Sequence, residues 1–328
     1  MQASLHRRCT SNSCSLSSPP KRACRTLCRA AVVAPGSQCD ALATFDHLPL
    51  LNRRILITAP RQYASKLAAL LVDAGARPTW VPGIAISRLS DHEQLQQLDN
   101  SLQQLESYSH LAFTSKNGIL AVLERLAALH GGPEKAVQYV KQSGIKLCAL
   151  GADGQVLREA GLQVHVSPVE ASTKGLAAEL AATGQAAGAH ILCPVPHVAG
   201  GLVEPPVVPR FMDALTAAGA AAVRVPAYLT SVGLPSPECC AQEAALLQAG
   251  HFDAIAFSST AEAQGLCLLM GGRQAVASAV QQHRTVLAAH GPYTAAGAGD
   301  VLGLAVPVVS RNFSSFDGLV AALADALH

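Results

Sequence analysis

His110-Leu111-Ala112-Phe113-Thr114-Ser115-Lys116 is a short apolar run that breaks into hydroxyl residues, and the same pattern returns at Ala254-Ile255-Ala256-Phe257-Ser258-Ser259-Thr260 (257 − 113 = 144). A run of this length with turn residues behind it reads as a strand. Ser115 suits the N-cap of the helix that follows, whose Ile119, Val122, Leu123, Leu126 and Leu129 recur at helical spacing. Further landmarks repeat in the same order: Val81-Pro82 with Val225-Pro226 (225 − 81 = 144), Gly151 with Gly291 (291 − 151 = 140), and Gly175-Leu176 with Gly318-Leu319 (318 − 175 = 143). Ile55-Leu56 matches Ile191-Leu192 (191 − 55 = 136). Ordered landmarks at nearly one offset denote a structural unit used twice.

Outward from these landmarks, the chain alternates strands and helices. Arg54–Thr58 is β-branched, Tyr63–Ala74 is periodic with Leu67, Leu70 and Leu71 and ends at Gly75, and Pro78–Ile86 reads as the next strand. This βαβ order requires a parallel sheet. Asp91–Tyr108 reads as a helix, Ile145–Leu150 as a strand, Gln155–Ala160 as a helix and Val164–Val166 as a strand. Ser172-Thr173 precede a helix through Leu180. The unit then restarts with strands at His190–Cys193 and Val223–Val225 about the helix Arg210–Ala218. Strands at Ala254–Ser258 and Thr285–Ala289 and a final helix at Phe316–Leu327 complete it. The expected class is α/β with two similar lobes.

The 328 residues suffice for two domains, and half of them are hydrophobic. Only 4% are aromatic, which argues against a stacking surface for nucleic acid. No stretch approaches the ~20 apolar residues of a membrane-spanning helix. Arg7, Arg8, Lys21, Arg22, Arg25 and Arg29 fall in residues 1–39, which hold no Asp or Glu; without them 18 basic residues (24 − 6) face 22 acidic ones. The body is therefore mildly acidic. Residues 1–48, Arg- and Ser-rich at their start and without a secretory apolar core, have the composition of an import segment, here expected to be a chloroplast transit peptide delivering the chain to the stroma. Five of the ten cysteines lie in it. Cys148, Cys193 and Cys267 sit in apolar runs, and Cys239-Cys240 reads as exposed thiol. Neither a disulfide framework nor a metal site is expected.

The polar residues that follow strands are Thr58, Thr114, Ser115, Gly151, Ser258, Ser259, Thr260 and Gly291, each where a strand hands over to a helix. Open α/β sheets bind ligands beyond the carboxyl ends of their strands. Helix N-termini there offer free N–H groups that suit anions. A polyanionic small molecule is the natural ligand; any single hydroxyl is a helix cap before it is a contact, and it is their recurrence on one rim that favours binding. There is no G-x-G-x-x-G after a strand, no phosphate loop, no nucleophile elbow and no histidine cluster of metal-site spacing. No cofactor is expected.

Phe113-Thr114-Ser115-Lys116-Asn117-Gly118, Ala149-Leu150-Gly151, Pro226-Ala227-Tyr228-Leu229-Thr230, Phe252-Asp253-Ala254, Phe257-Ser258-Ser259 and Gly291-Pro292-Tyr293-Thr294-Ala295 together resemble the uroporphyrinogen-III synthase family, over residues 53–327. The stretch Ile191–Pro196 through Glu204–Pro209 resembles plant and algal members, in keeping with a plastid peptide. The resemblance implies two flavodoxin-like parallel-sheet lobes joined by a two-stranded linker, one lobe built from residues 49–88 plus 229–328 and the other from residues 89–228, with crossings near Ile86–Leu89 and Tyr228–Val232. It implies cofactor-free closure of hydroxymethylbilane to isomer III, with loss of water and inversion of the last ring. No large apolar patch is marked, so a monomer is expected, with transient contact with the preceding pathway enzyme left open. Lys116, Asn117 and Thr294 join the expected binding residues. Tyr228 is matched to the acid that aids the departing hydroxyl, and a buried structural tyrosine is the other role open to it.

The chain departs from the family pattern in three places. Thr58-Ala59-Pro60-Arg61 replaces the usual Thr-Arg-Pro, so Arg61 stands in from one position later; Gly154 occupies the place of a threonine kept in the second copy as Thr294; His290 precedes Gly291. Two other classes stay open on these residues: a non-catalytic two-lobed binder of a tetrapyrrole or other polyanion, and an α/β enzyme acting on a phosphorylated metabolite.

Overall fold

A computed structural model describes residues 48–312 and 314–328. The expected import segment, but for its last residue, lies outside the described residues. The strands are β1 (Arg54–Ile57), β2 (Arg77–Trp80), β3 (Ile84–Ser87), β4 (His110–Ala112), β5 (Lys146–Cys148), β6 (His190–Val198), β7 (Ala221–Val232), β8 (Ala254–Phe257), β9 (Val286–Ala289) and β10 (Val308–Val309). The helices are α1 (Arg61–Asp73), α2 (His92–Leu102), α3 (Lys116–His130), α4 (Pro133–Ser143), α5 (Gly154–Glu159), α6 (Thr173–Ala182), α7 (Val207–Ala217), α8 (Ala241–Gln248), α9 (Thr260–Leu269), α10 (Arg273–His283), α11 (Pro292–Leu302) and α12 (Asp317–Leu327).

Among the described residues the strands form two five-stranded sheets, ordered β10-β9-β8-β1-β2 and β3-β7-β6-β4-β5. Every pairing in the first is parallel. In the second, β3 alone runs antiparallel, against the end of β7. With β3 set aside and the single parallel bridge Cys148–Val166 counted as the far edge, the second sheet repeats the first strand for strand. Here β6 stands for β1, β7 for β2, β4 for β8 and β5 for β9. These are the pairs that the sequence offsets matched. The order is the doubly wound 2-1-3-4-5 arrangement, entered in the second lobe at its third strand.

Both faces of each sheet are covered, which is why the strands read as continuous apolar runs. In the first, Leu56, Ile255, Phe257 and Leu287 point into one core, and Ile55, Ile57, Ala254, Ala256 and Ala288 into the other. In the second, Leu111, Phe113, Leu147 and Leu192 oppose Ala112, Cys148, Ile191 and Cys193. Cys148, Cys193 and Cys267 are core residues as expected. Cys239 is exposed, but Cys240 is buried, its thiol within reach of the Pro237 and Leu269 carbonyls, one of which takes its hydrogen.

Pro78–Ile86 is not one strand. Its first half, β2, belongs to the first sheet and its second half, β3, to the second, with Val81–Gly83 crossing between them. The return pass leaves β7 at Val232–Gly233. The Ile84–Ser87 and Leu229–Val232 segments pair antiparallel, forming the two-stranded connection. An unbroken run of β-formers carries no mark of where it changes sheet. β6 is longer than expected and runs through Pro194 and Pro196. It pairs with β4 only as far as Leu192, so the prolines' missing N–H groups fall where one side is open, beside a register shift at Val195/Pro196. Val164–Val166 contributes only the one bridge. α2 stops at Leu102, ahead of a separate turn at Leu105–Ser107. The sequence pattern assigned nothing to α4, α8, α10, α11 and β10.

Candidate active site

The helix starts that follow β1 and β9 in the first lobe meet those of the second: α1 reaches α3 through Tyr63 and Asn117, and α11 reaches the turn ahead of α6 through Tyr293 and Glu170. Ser115 caps α3 as its sequence position requires, its Oγ accepting from Gly118 N–H at 3.2 Å. The same Oγ shares a hydrogen bond with the Tyr228 hydroxyl at 3.0 Å. Tyr228 reaches this point from β7, and its side chain packs in the second-lobe core with 7% exposure. Burial, offset by the Ser115 bond and reinforced by Tyr63 and Asp153, pushes the phenol up to about 12. It therefore keeps its proton at neutral pH. Where Ser115 donates to the phenol oxygen, the phenol's own hydrogen is free to be given outward.

Tyr63, on α1 of the first lobe, donates across the cleft to Asn117 Oδ1 at 3.0 Å. Burial raises its own phenol despite that bond. Asp153, behind the start of α3, is raised by burial against a bond from the Lys116 backbone N–H and the Lys116 charge. Two hollows flank this point. One of about 460 Å³ is lined by Asn117, Tyr228, Arg88 and Arg125, and one of about 360 Å³ by Thr114, Ser172, Lys174, Arg210 and, from the first lobe, Tyr293. Tyr293 closes the latter by donating to Glu170 Oε1 at 3.1 Å.

Several expected residues therefore gather here: Thr114, Ser115, Lys116, Asn117 and Tyr228. Lys116 is exposed at the first turn of α3, and Arg61 is exposed at the start of α1. Gly151 carries a φ of +43°, and a β-carbon there would lie 2.8 Å from Ala171 Cβ. Gly291 caps α11 in extended backbone. Thr260 packs against Gly297, where a β-carbon would meet its Oγ1 at 2.1 Å. Thr58 is different: it is fully buried and its hydroxyl is used within the protein, on Ala256 O and Glu262 Oε2, both at 2.8 Å. Thr294 spends its hydroxyl on the Ser258 carbonyl at 3.3 Å. Gly154, its counterpart in the first copy, is buried, with Val164 and Ala149 where a β-carbon would stand.

The sequence reading missed Tyr63, Asp153, Glu170 and Glu262. Only Glu262 had a local signal, the S-x-x-E spacing Ser259-Thr260-Ala261-Glu262 of a capping box. Among the described residues no group of His, Cys, Asp and Glu could hold a metal ion, and no helix is long and apolar enough to cross a membrane.

Such an assembly defines a two-lobed α/β protein in which two copies of one sheet meet at a cleft. Residues 65–321 match the family model described as uroporphyrinogen-III synthase HemD, and the chain belongs to that family. A curated relative, the porphyrin biosynthesis protein HemD of Ruminiclostridium josui, is 25% identical over 142 residues. That match spans 42% of this chain and about a quarter of the relative (26%). A mutant uroporphyrinogen III synthase from Thermus thermophilus is similar in fold, with a TM-score of 0.56 at 20% identity over 84% of this chain and 98% of that one. A second crystal form, of the wild-type Thermus enzyme, gives a TM-score of 0.43 at 20% identity over the same shares.

Proposed function

We propose that this chain is a lyase that closes linear hydroxymethylbilane to uroporphyrinogen III in tetrapyrrole synthesis. The observation that carries the reading, beside family membership, is the protonated Tyr228–Ser115 pair flanked by two hollows, one of them closed by Tyr293 of the opposite lobe. The substrate's hydroxymethyl C–O bond breaks and its oxygen leaves as water, taking one proton. The resulting azafulvene is electrophilic and cyclises unaided to the wrong isomer. The protein's task is to hold the chain so that the substituted carbon of the last ring attacks, forming a spiro intermediate that reopens and closes with that ring inverted, and then loses a ring proton. Orientation of this kind contributes about 7–11 kcal/mol in well-placed intramolecular reactions. The handles are the substrate's carboxylates, facing the α3, α6 and α9 N-termini and the Lys116, Lys174, Arg210 and Arg61 charges.

Tyr228 is placed to donate to the leaving hydroxyl. A phenol near 12 transfers its proton poorly at neutral pH, so its part is a strong hydrogen bond rather than full transfer, and the gain belongs at the lower end of acid catalysis, roughly 10²-fold. The composition of residues 1–39 and the plant- and algal-like stretch 191–209 support work in the plastid stroma, where the product feeds haem and chlorophyll. A substrate that self-cyclises also favours direct transfer from the enzyme that makes it. The test is consumption of freshly made hydroxymethylbilane: saturable acceleration over buffer is expected, and binding without acceleration would instead make the protein a tetrapyrrole carrier.

A further inference from the structure

The hollow at the start of α6, of about 360 Å³, lies at the small end of ligand pockets, which run roughly 300–1,000 Å³. Leu150, Val207, Phe211 and Ala214 line it, and the exposed Lys174 and Arg210 border it. Neither cation takes part in an ion pair among the described residues. Apolar lining beside two such cations suits a flat ring that carries carboxylates. The space holds one such ring rather than a chain of four.

One carboxylate already sits at its edge. Glu170 Oε1 accepts from Ser172 Oγ at 2.7 Å and, from the other lobe, from the Tyr293 hydroxyl at 3.1 Å. Bonds from Ser172 and Tyr293, and then the Lys174 charge, hold this carboxyl below its ordinary value, so it is an anion at neutral pH. The turn itself does not need that charge. Gly175 and Gly318 are matched by the sequence repeat, and in the first lobe Asn312 plays the local part of Glu170. A β-carbon at Gly318 would lie 2.0 Å from Asn312 O, as one at Gly175 would lie 2.2 Å from Glu170 O. Asn312 Oδ1 accepts from Ser314 Oγ at 2.6 Å, two residues on, as Glu170 does from Ser172. A neutral side-chain oxygen therefore serves the turn, and what Glu170 adds is a negative charge and a bond to the opposite lobe. Glu170 is exposed, and Val169 beside it is fully so, hence its side chain can turn away without disturbing any packing.

We propose that Glu170 is a built-in surrogate for a ligand carboxylate: one carboxylate-bearing ring of the ligand enters this hollow, displaces Glu170 from Tyr293, and takes over the Tyr293 hydroxyl together with Lys174 and Arg210. The inference rests on reading the cleft as the site of a polycarboxylate. A bond within the protein is exchanged for one made through the ligand, so the lobes stay joined while the site fills. Apparent affinity falls by the fraction of molecules in which Tyr293 is already released. A ligand without a carboxylate has nothing to exchange, and Glu170 thereby sets specificity. Tyr228 lines the other hollow and not this one, so the effect of Glu170 falls on binding and KM rather than on kcat.

The experiment titrates the full chain, followed by NMR, with a pyrrole carrying one acetate and one propionate group. Wild type, Glu170→Gln, Tyr293→Phe and the double variant are compared. Glu170→Gln keeps a neutral oxygen for the turn and is expected to bind the pyrrole roughly 3–10-fold tighter. That gain should vanish in the Tyr293→Phe background, and the dimethyl ester of the pyrrole should show none. An equal gain with and without the Tyr293 hydroxyl would reduce Glu170 to a repelling charge and overturn the exchange. No gain, or no saturable binding to any of the four proteins, would overturn it as well. Arg210→Gln alters only an exposed side chain and covers the case of a misfolded Glu170→Gln: binding should weaken roughly 3–10-fold, and unchanged binding would sink the proposal. Turnover of hydroxymethylbilane is measured separately. Its absence would strike the synthase reading and leave the binding result standing, whereas turnover without the Glu170 effect would strike only the surrogate.

Discussion

Tyr228 shows what one residue's surroundings decide. Packed in the second-lobe core with only Ser115 to bond, it stays a phenol far above neutral pH. Tyr228→Phe keeps that packing and removes only the hydroxyl. The expected outcome is a loss of roughly 10²-fold in kcat with KM little changed, while unfolding free energy falls by about 0.5–1.5 kcal/mol. A purely structural tyrosine would give the stability change without the kinetic one. Its titration also has a sign. The folded values of Tyr228, Cys148 and Cys193, each about 12, lie above their ordinary values of 10.0, 9.0 and 9.0, so the neutral forms stabilise the fold below those ordinary values. That stability should drain away between about pH 9 and about pH 12, read as a falling urea midpoint, and Tyr228→Phe should remove the phenol's share of the fall. Hydroxyls after strands were legible in the sequence because strand ends and caps are local. That Thr58 is covered, or that Tyr63 reaches Asn117 from the other lobe, depends on how two distant segments meet and leaves no local mark.

At the scale of elements, the crossing between the sheets is the part the sequence concealed. The structural reason lies in three glycines with ordinary backbone angles, chosen for space. A β-carbon at Gly265 would lie 1.8 Å from Gly83 O, and one at Gly233 would lie 2.0 Å from Pro82 O. α9 and both passes of the chain therefore touch backbone to backbone. Gly265→Ala should cost about 1–3 kcal/mol by overpacking, measured as a lowered denaturant midpoint. Gly132→Ala tests the contrast: its φ of 135° is strained for alanine, but nothing lies within 4 Å of the new carbon. Its loss should come from the backbone alone. Helices such as α3, with Ser115 before it and Gly131 after it, were readable from both ends. α8 has a buried residue only at Leu247 and no side-chain cap, and so carried no periodic signal.

Over the whole molecule the repeat was the strongest signal, because a sheet order used twice stamps similar strands in the same sequence at one spacing. The boundary conditions of the cleft were not visible, since they depend on contacts between the copies. Tyr63–Asn117 and Tyr293–Glu170 span it, at 3.0 and 3.1 Å, and Val203 N–H reaches Gln264 Oε1 at 2.9 Å. Each such bond is worth about 1 kcal/mol net. Removing two of them in Tyr63→Phe/Tyr293→Phe should shift the balance toward separated lobes by roughly 5–30-fold. Small-angle scattering should show a larger radius of gyration without a change in the melting of either core. Unaltered scattering would mean that the two hydrogen bonds do not set the lobe arrangement.

The central claim is that this cleft chooses which carbon of the last ring attacks. It is tested by the isomer composition of the macrocycle formed when the full chain is given freshly made hydroxymethylbilane, separated after oxidation. The account predicts isomer III in excess over the spontaneous isomer I. Isomer I alone, in the proportion found in buffer and from demonstrably folded protein, would contradict it.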